Sequence, residues 1–184
     1  MARIHILGAS GSGTTTLGAA LATRTGWPHE DSDTYFWEVT DPPYTRQRPK
    51  ERRLDRLLPR LAKERDWIFS GSSISWSGAL EPLYDLVVYL RLDPARRMAR
   101  LRAREIGRYG GRIAPGGDMA EASAAFIAWA EAYDTAGPEQ RSRALHEAWL
   151  KGRRCPVLRL DSAAPVAQLV AQVCVVLTGS SHIR

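Results

Sequence analysis

The sequence predicts an α/β domain built on a mostly parallel sheet, and three observations carry that reading. Short apolar runs rich in sheet-forming residues recur along the chain. Between them, apolar residues recur at helical spacings of three and four. The two kinds of segment alternate, which is the pattern of βαβ units with parallel strands covered on both faces.

Residues 3–7, RIHIL, read as a first strand ended by Gly8. Thr14 to Arg24 read as a helix, with Leu17 and Leu21 four apart. Leu54, Leu57, Leu58 and Leu61 share one apolar helix face. Trp67 to Ser70 is a short strand, and Leu86 to Leu92, LVVYLRL, is the clearest one. Met119, Ala122, Phe126, Ala130 and Tyr133 mark a further helix, and Pro156 to Leu160 a further strand. Val166, Leu169, Val170, Val173 and Leu177 give the closing helix. Two stretches break the pattern. Residues 40–49, TDPPYTRQRP, hold three prolines and read as a loop. Residues 108–118, RYGGRIAPGGD, lie between two helices and hold four glycines and a proline, a composition suited to a mobile lid.

A chain of 184 residues suffices for one full hydrophobic core, so 1–184 is expected to be a single domain. The apolar fraction of 44% and charged fraction of 25% are those of an ordinary globular protein. No long apolar run suggests a membrane span, and RIHILGASGSG lacks the organisation of a secretory signal. Cys155 and Cys174 show no metal-ligand spacing and are expected to be core thiols in a reduced, cytoplasmic compartment. The net charge of +6 rests on arginine, since lysine occurs only at 50, 63 and 151. A basic balance suggests an anionic partner, either nucleic acid or a phosphorylated small molecule. The interleaved acids Glu51, Asp55, Glu64, Asp93 and Glu105 argue against nucleic acid.

GASGSGTTTL, Gly8 to Leu17, nearly spells the phosphate-binding pattern G-x-x-x-x-G-K-[ST]. Gly8 and Gly13 stand at the required ends and Thr15 in the hydroxyl slot, but Thr14 replaces the lysine. Strand, glycine-rich turn and helix start are the context such a loop needs. Glycines at 8, 11 and 13 let the main-chain N–H groups of Gly8, Ala9, Ser10, Gly11, Ser12, Gly13, Thr14, Thr15 and Thr16 form a nest for phosphates. The helix dipole adds about 0.3–2 kcal/mol toward an anion. None of this needs an ammonium group, so nucleotide binding should survive Thr14 if other cations meet the outer phosphates. The Thr15 hydroxyl can hold Mg²⁺.

In HEDSDTYFW, 29–37, Asp31 and Asp33 are two apart. At a strand end that spacing puts both carboxylates on one side. One carboxylate could hold Mg²⁺ and the other accept a proton from a substrate hydroxyl.

Together these segments resemble the small P-loop kinases, among them adenylate, shikimate and gluconate kinases. The matching pieces are GASGSGTT at 8–15, DSD at 31–33, WIFSGS at 67–72, YDLVVYLRLD at 84–93, REIGRYGGRI at 104–113 and LDSAAPV at 160–166. The GASGSG-TT-L loop and the DSDxYFWxxTDPPY stretch also resemble a narrower bacterial adenylate kinase-like group, in which Thr14 would be a group feature. The resemblance implies the P-loop kinase fold, with about five parallel strands, a lid and a separate acceptor-binding segment at about 34–65. It implies ATP as phosphoryl donor with Mg²⁺, and LDSAAPV as a loop near the adenine. Two departures matter. The loop lysine is missing, and Ser70 stands where adenylate kinase ends a strand with an acid, which puts AMP as acceptor in doubt.

Arginines are the expected replacement for the lysine. Arg97, Arg100, Arg104 and Arg108 share one helix face and lead toward Arg112 in the glycine-rich segment. Arg104, Arg108 and Arg112 are the candidate lid cations, because the guanidinium fork suits phosphate oxygens. Arg46, Arg48 and Arg53, with Arg52, could clamp an anionic acceptor against an aromatic wall of Tyr35, Phe36, Trp37 and Tyr44. Ser72, Ser73 and Trp76 could line the same pocket, and His5 reads as structural. Two function classes follow. The first is a kinase moving the γ-phosphoryl group of ATP to a nucleotide or small hydroxyl acceptor. The second is a nucleotide-binding regulatory protein that has lost turnover, for which Thr14 is the evidence.

Overall fold

The computed structural model describes residues 1–180. Five strands form one all-parallel sheet in the order β2-β3-β1-β4-β5. They are β1 (Arg3–Gly8), β2 (His29–Asp31), β3 (Trp67–Ser70), β4 (Leu86–Arg91) and β5 (Val157–Asp161). The helices are α1 (Thr14–Thr25), α2 (Ser32–Phe36), α3 (Lys50–Leu61), α4 (Pro94–Tyr109), α5 (Ala120–Glu131), α6 (Arg143–Lys151) and α7 (Val166–Ser180). The α/β class read from the alternating pattern is therefore the observed one, and each of the four strands read from apolar runs is present within a residue or two.

The described chain falls into two compact units. The first holds Met1–Gly8, Gly13–Arg91 and the chain from Arg153 on, and contains the whole sheet. Its core is the apolar face of the sheet against two helices. Ile4, Ile6, Ile68, Leu86, Val88 and Leu90 meet Leu17 and Leu21 of α1 and Leu169 and Val173 of α7. A fully buried aliphatic side chain stabilises by about 1.5–3 kcal/mol, so this cluster accounts for the aliphatic residues that fill this face of the central strands. Burying His5 in the same sheet requires a partner. It stacks on Phe69 and Tyr84 at ring distances of 5.4 and 4.8 Å, and its Nδ1 bonds the Phe69 carbonyl oxygen at 3.1 Å.

The second unit holds Ala9–Ser12 and Leu92–Gly152. Asp93 caps α4, accepting from the Arg96 N–H at 3.0 Å, and Pro94 follows in the first turn, where its missing N–H costs nothing. Met98 and Leu101 pack on Ala130, with Phe126, Ile127 and Trp129 around them. Arg97 is buried here, only 1% exposed. Its Nη1 donates to the Ala130 carbonyl at 2.9 Å, its Nη2 to Asp134 at 3.1 Å, and its guanidinium lies 5.2 Å from the Tyr133 ring. One departure from the expected face is Ala122, which is exposed. Ser123 is turned inward instead, where its hydroxyl donates to the buried Glu105 at 2.9 Å.

Cys155 and Cys174 are half-buried, not core thiols as expected. Cys155 precedes the edge strand β5, and Cys174 lies at the margin of the α7 face that packs on the core. Among the described residues, no helix is long and apolar enough to cross a membrane.

Candidate functional site

In open parallel sheets, ligands sit beyond the carboxyl ends of the strands, where the order reverses. Here β1 lies between β3 and β4, so Gly8, the carboxyl end of β1, stands at that reversal.

On the first unit, α1 starts at Gly13, whose φ of +91° is a left-handed conformation open to glycine. Thr15, in the exposed first turn, donates from Oγ1 to Asp31 Oδ2 at 2.5 Å. Asp31 ends β2 and pairs in register with Ser70 of β3. The Ser70 hydroxyl donates to the same Asp31 oxygen at 3.2 Å and meets His29 Nε2 at 2.9 Å. Burial lowers the His29 pKa, against the opposing pull of Asp31 and Glu30. His29, Ser70, Asp31 and Thr15 thus form one chain of hydrogen bonds reaching the helix N-terminus.

The expectation that Asp31 and Asp33 share one side of a strand needs correction. The strand stops at Asp31 and a helix begins at Ser32. Asp31 Oδ1 caps that helix by accepting the Asp33 N–H at 2.8 Å, and Asp33 lies exposed in the first turn. An Asx cap competes successfully with strand continuation at DSD.

On the second unit, the Ser12 N–H bonds the Ala9 carbonyl at 3.0 Å and closes a tight turn. Gly11 has φ +83°, and a Cβ there would stand 2.9 Å from the Arg97 carbonyl oxygen and from Leu101 Cγ. Both conformation and space therefore demand glycine at 11. Ser12 is fully buried and its hydroxyl has no hydrogen-bond partner among the described residues. Ser10 receives a hydrogen bond from the guanidinium of Arg141, which lies 4.4 Å over the Trp129 ring. Arg141 carried no signal in the sequence beyond its place in a short basic run.

The candidate lid arginines occupy the same unit. Arg104 lies 5.7 Å from the Phe126 ring, and Arg108 stands 3.5 Å from Glu105. Arg112 grips Asp118 through Nε at 3.0 Å and Nη2 at 2.6 Å, which lowers the Asp118 pKa. Residues 108–118 are folded into the end of α4, a 3-10 turn over Gly110–Ile113 and a turn closed by the Met119 N–H on the Arg112 carbonyl at 2.9 Å.

The expected acceptor segment is a closed loop. The Glu38 N–H bonds the Arg46 carbonyl at 2.9 Å and the Arg48 N–H the Phe36 carbonyl at 2.8 Å. Arg48 is buried. It donates to the carbonyls of Thr34 and Tyr35 at 3.1 and 2.6 Å and to Glu38 at 3.2 Å. Arg53 is buried too, bonding the Arg48 carbonyl at 2.8 Å and stacking 3.9 Å over Phe36. These two guanidiniums hold the loop, whereas Arg46 is exposed. Tyr35 lies in the core, its hydroxyl on Glu30 at 2.6 Å, while Tyr44 meets Trp37 edge-on at the surface with φ +63°. Ser72 is half-buried just beyond β3. A separate apolar hollow of about 740 Å³ lies between α1 and α7, lined by Ala20, Thr23, Val166, Val170 and Cys174. It holds none of the candidate residues.

The donor set at the sheet edge suits a hard cation. A hydroxyl and a carboxylate oxygen are what magnesium takes from a protein, the rest of its shell coming from water and phosphate. Among the described residues, no group of three His, Cys, Asp or Glu side chains is arranged to hold a metal ion.

The five-stranded parallel sheet flanked by helices is that of the small P-loop kinase fold. Shikimate kinase of Bacteroides thetaiotaomicron is 18% identical, with 96% of this chain and 98% of that one covered, at a TM-score of 0.56. The deoxyadenosine kinase of M. mycoides is 14% identical, with 96% and 99% covered, at 0.53. No family model matches the sequence. The uncharacterized protein YqaC of Bacillus subtilis (strain 168) is 44% identical over 170 residues, covering 92% of this chain and 94% of that one. The chain belongs to the YqaC family.

Proposed function

We propose that this protein is an ATP-dependent kinase that moves the γ-phosphoryl group to a nucleotide or small hydroxyl acceptor. The observation that carries this is the 2.5 Å bond from Thr15 to Asp31. It joins the hydroxyl slot of a glycine-rich loop to a strand-end carboxylate in a P-loop kinase fold. The named activities of the structural neighbours, on shikimate and on deoxyadenosine, support the same chemistry.

In this reading the main chain of residues 8–16 binds the phosphates, and Thr15 with Asp31 holds Mg²⁺. When bound, ATP and Mg²⁺ supply the phosphoryl group and offset its charge. Asp33, exposed two residues beyond the Asp31 cap, takes the proton released by the acceptor hydroxyl. Arg104, Arg108 and Arg112 serve the lid at residues 108–118, with Arg108 and Arg112 exchanging Glu105 and Asp118 for phosphate. Tyr44, Arg46 and Ser72 face the acceptor, and Arg48 and Arg53 shape its loop. The protein acts in the cytoplasm.

The test is ATP consumption against a panel of nucleosides, nucleotides, sugar acids and hydroxy acids, beside calorimetry of Mg-ATP binding. Turnover with one acceptor class is the expected result. Tight Mg-ATP binding without turnover on any acceptor would favour a regulatory nucleotide-binding protein, the reading that Thr14 in the lysine slot supports. No binding of ATP or GTP to folded protein would remove both.

A further inference from the structure

Resting on the nucleotide-binding reading, we propose that Arg141 is a phosphate-binding residue that supplies the glycine-rich loop with the cation its own sequence lacks, positioned for this by Ser10 and Trp129. The loop pattern normally carries a lysine on the outer phosphates, and here that slot is Thr14. Arg141 lies outside the candidate lid, in the connection between α5 and α6. Its guanidinium nevertheless bonds the Ser10 hydroxyl, 131 residues away in the chain and inside the loop.

Two contacts place Arg141 at the loop, one with Ser10 and one with Trp129. Arg97 holds the floor under Gly11, where its main chain excludes a side chain. The Arg141 guanidinium lies over the Trp129 ring at 4.4 Å and directs an Nη2 N–H at the Ser10 hydroxyl. Stacking fixes the plane of the guanidinium while leaving its edge for hydrogen bonding, and fixing a flexible cation before the ligand arrives lowers the entropy lost on binding. A serine hydroxyl is a weak acceptor for a cation compared with a phosphate oxygen. Ser10 therefore serves as a placeholder that phosphate displaces. The buried, unpartnered Ser12 hydroxyl two residues on is a second polar group in the same loop awaiting a partner.

The experiment is calorimetric titration of wild type, Arg141→Met and Arg141→Lys with Mg-ATP, inorganic tripolyphosphate and adenosine. Thermal unfolding checks each variant, and Arg141→Gln replaces the methionine variant if that one does not fold. Loss of one charge-assisted contact corresponds to about 10- to 100-fold. Arg141→Met is expected to weaken Mg-ATP and tripolyphosphate by that factor, leaving adenosine within about twofold. Arg141→Lys falls between, since charge is kept and the fork is lost. Adding Thr14→Lys to Arg141→Met should restore most of the lost affinity. Equal tripolyphosphate affinity in wild type and Arg141→Met overturns the proposal while leaving the nucleotide reading intact. Wild-type protein that binds neither Mg-ATP nor tripolyphosphate overturns both. A loss as large for adenosine as for tripolyphosphate assigns Arg141 a purely structural role and also overturns it.

Discussion

Gly18 of α1 packs against His29 so closely that a Cβ at 18 would overlap the imidazole ring at Nε2. The same Nε2 holds the Ser70 hydroxyl at 2.9 Å. Two opposing effects meet at this glycine. Alanine in a helix interior ordinarily gains about 1 kcal/mol over glycine. Overpacking against a held ring costs about 1–3 kcal/mol. The steric term should win, so Gly18→Ala is expected to lower stability by up to about 2 kcal/mol in urea unfolding. Adding His29→Ala should cancel most of that loss, because the overlap disappears with the ring. A Gly18→Ala protein as stable as wild type would show that the ring moves aside freely.

Arg46 and Arg48 are two apart and should behave in opposite ways. Arg48 is buried and bonds two carbonyls and Glu38, so Arg48→Ala leaves all three without their donor. The expected cost is about 3 kcal/mol, and Arg48→Lys should recover only part, having one donor nitrogen where Arg48 uses Nη1 and Nη2. Arg46 is exposed. Arg46→Ala should leave the unfolding midpoint unchanged and, in the proposed kinase, raise KM for an anionic acceptor. A destabilised Arg46→Ala or an unaffected Arg48→Ala would reverse the roles assigned here.

That contrast also marks where the sequence was legible. LVVYL reads as a strand because a parallel strand covered on both faces must be apolar throughout. The strand HED does not, because three polar residues at a sheet edge carry no periodicity. The glycines at 11 and 13 were legible through their spacing, since backbone conformation is a local property. Arg48 and Arg53 were not, because charge in a sequence reads as exposure, and only the fold shows carbonyls arranged to receive them. Arg141 was illegible for a related reason: its meaning lies in a contact that chain topology alone creates.

His5 predicts a specific loss of stability in mild acid. Burial lowers its pKa from 6.5 to about 4, the Phe69 carbonyl bond opposing only in part. The native state therefore binds this proton less readily than the unfolded chain. Above pH 6.5 both states are neutral and His5 adds no pH dependence. As pH falls from 6.5 toward about 4, the unfolded state gains the proton first and stability declines, levelling once the native state also protonates. At about 1.4 kcal/mol per pH unit, that window corresponds to about 3 kcal/mol. His5→Phe keeps an aromatic ring between Phe69 and Tyr84 and removes the titration. Urea unfolding at pH 7 and pH 4.5 should show a clearly smaller drop for His5→Phe, and an equal drop would assign the acid sensitivity to other groups.

Asp31 does two things at once, and one substitution separates them. Its Oδ1 caps α2 through the Asp33 N–H, and its Oδ2 gathers the hydroxyls of Thr15 and Ser70. Asparagine is as good a helix cap as aspartate, so Asp31→Asn should keep stability within about 1 kcal/mol. It removes the negative charge that a hard cation needs. If Thr15 and Asp31 hold Mg²⁺, magnesium should tighten ADP binding in wild type and do so far less in Asp31→Asn, with the enhancement reduced by about tenfold or more. Thr15→Ser keeps the oxygen and should retain the enhancement, whereas Thr15→Val keeps the shape without the oxygen and should lose it. Titrations of ADP with and without magnesium read the effect without any acceptor being known. An unchanged magnesium enhancement in stable Asp31→Asn and Thr15→Val proteins would place the cation elsewhere and leave the 2.5 Å bond between these two residues as a purely structural tie.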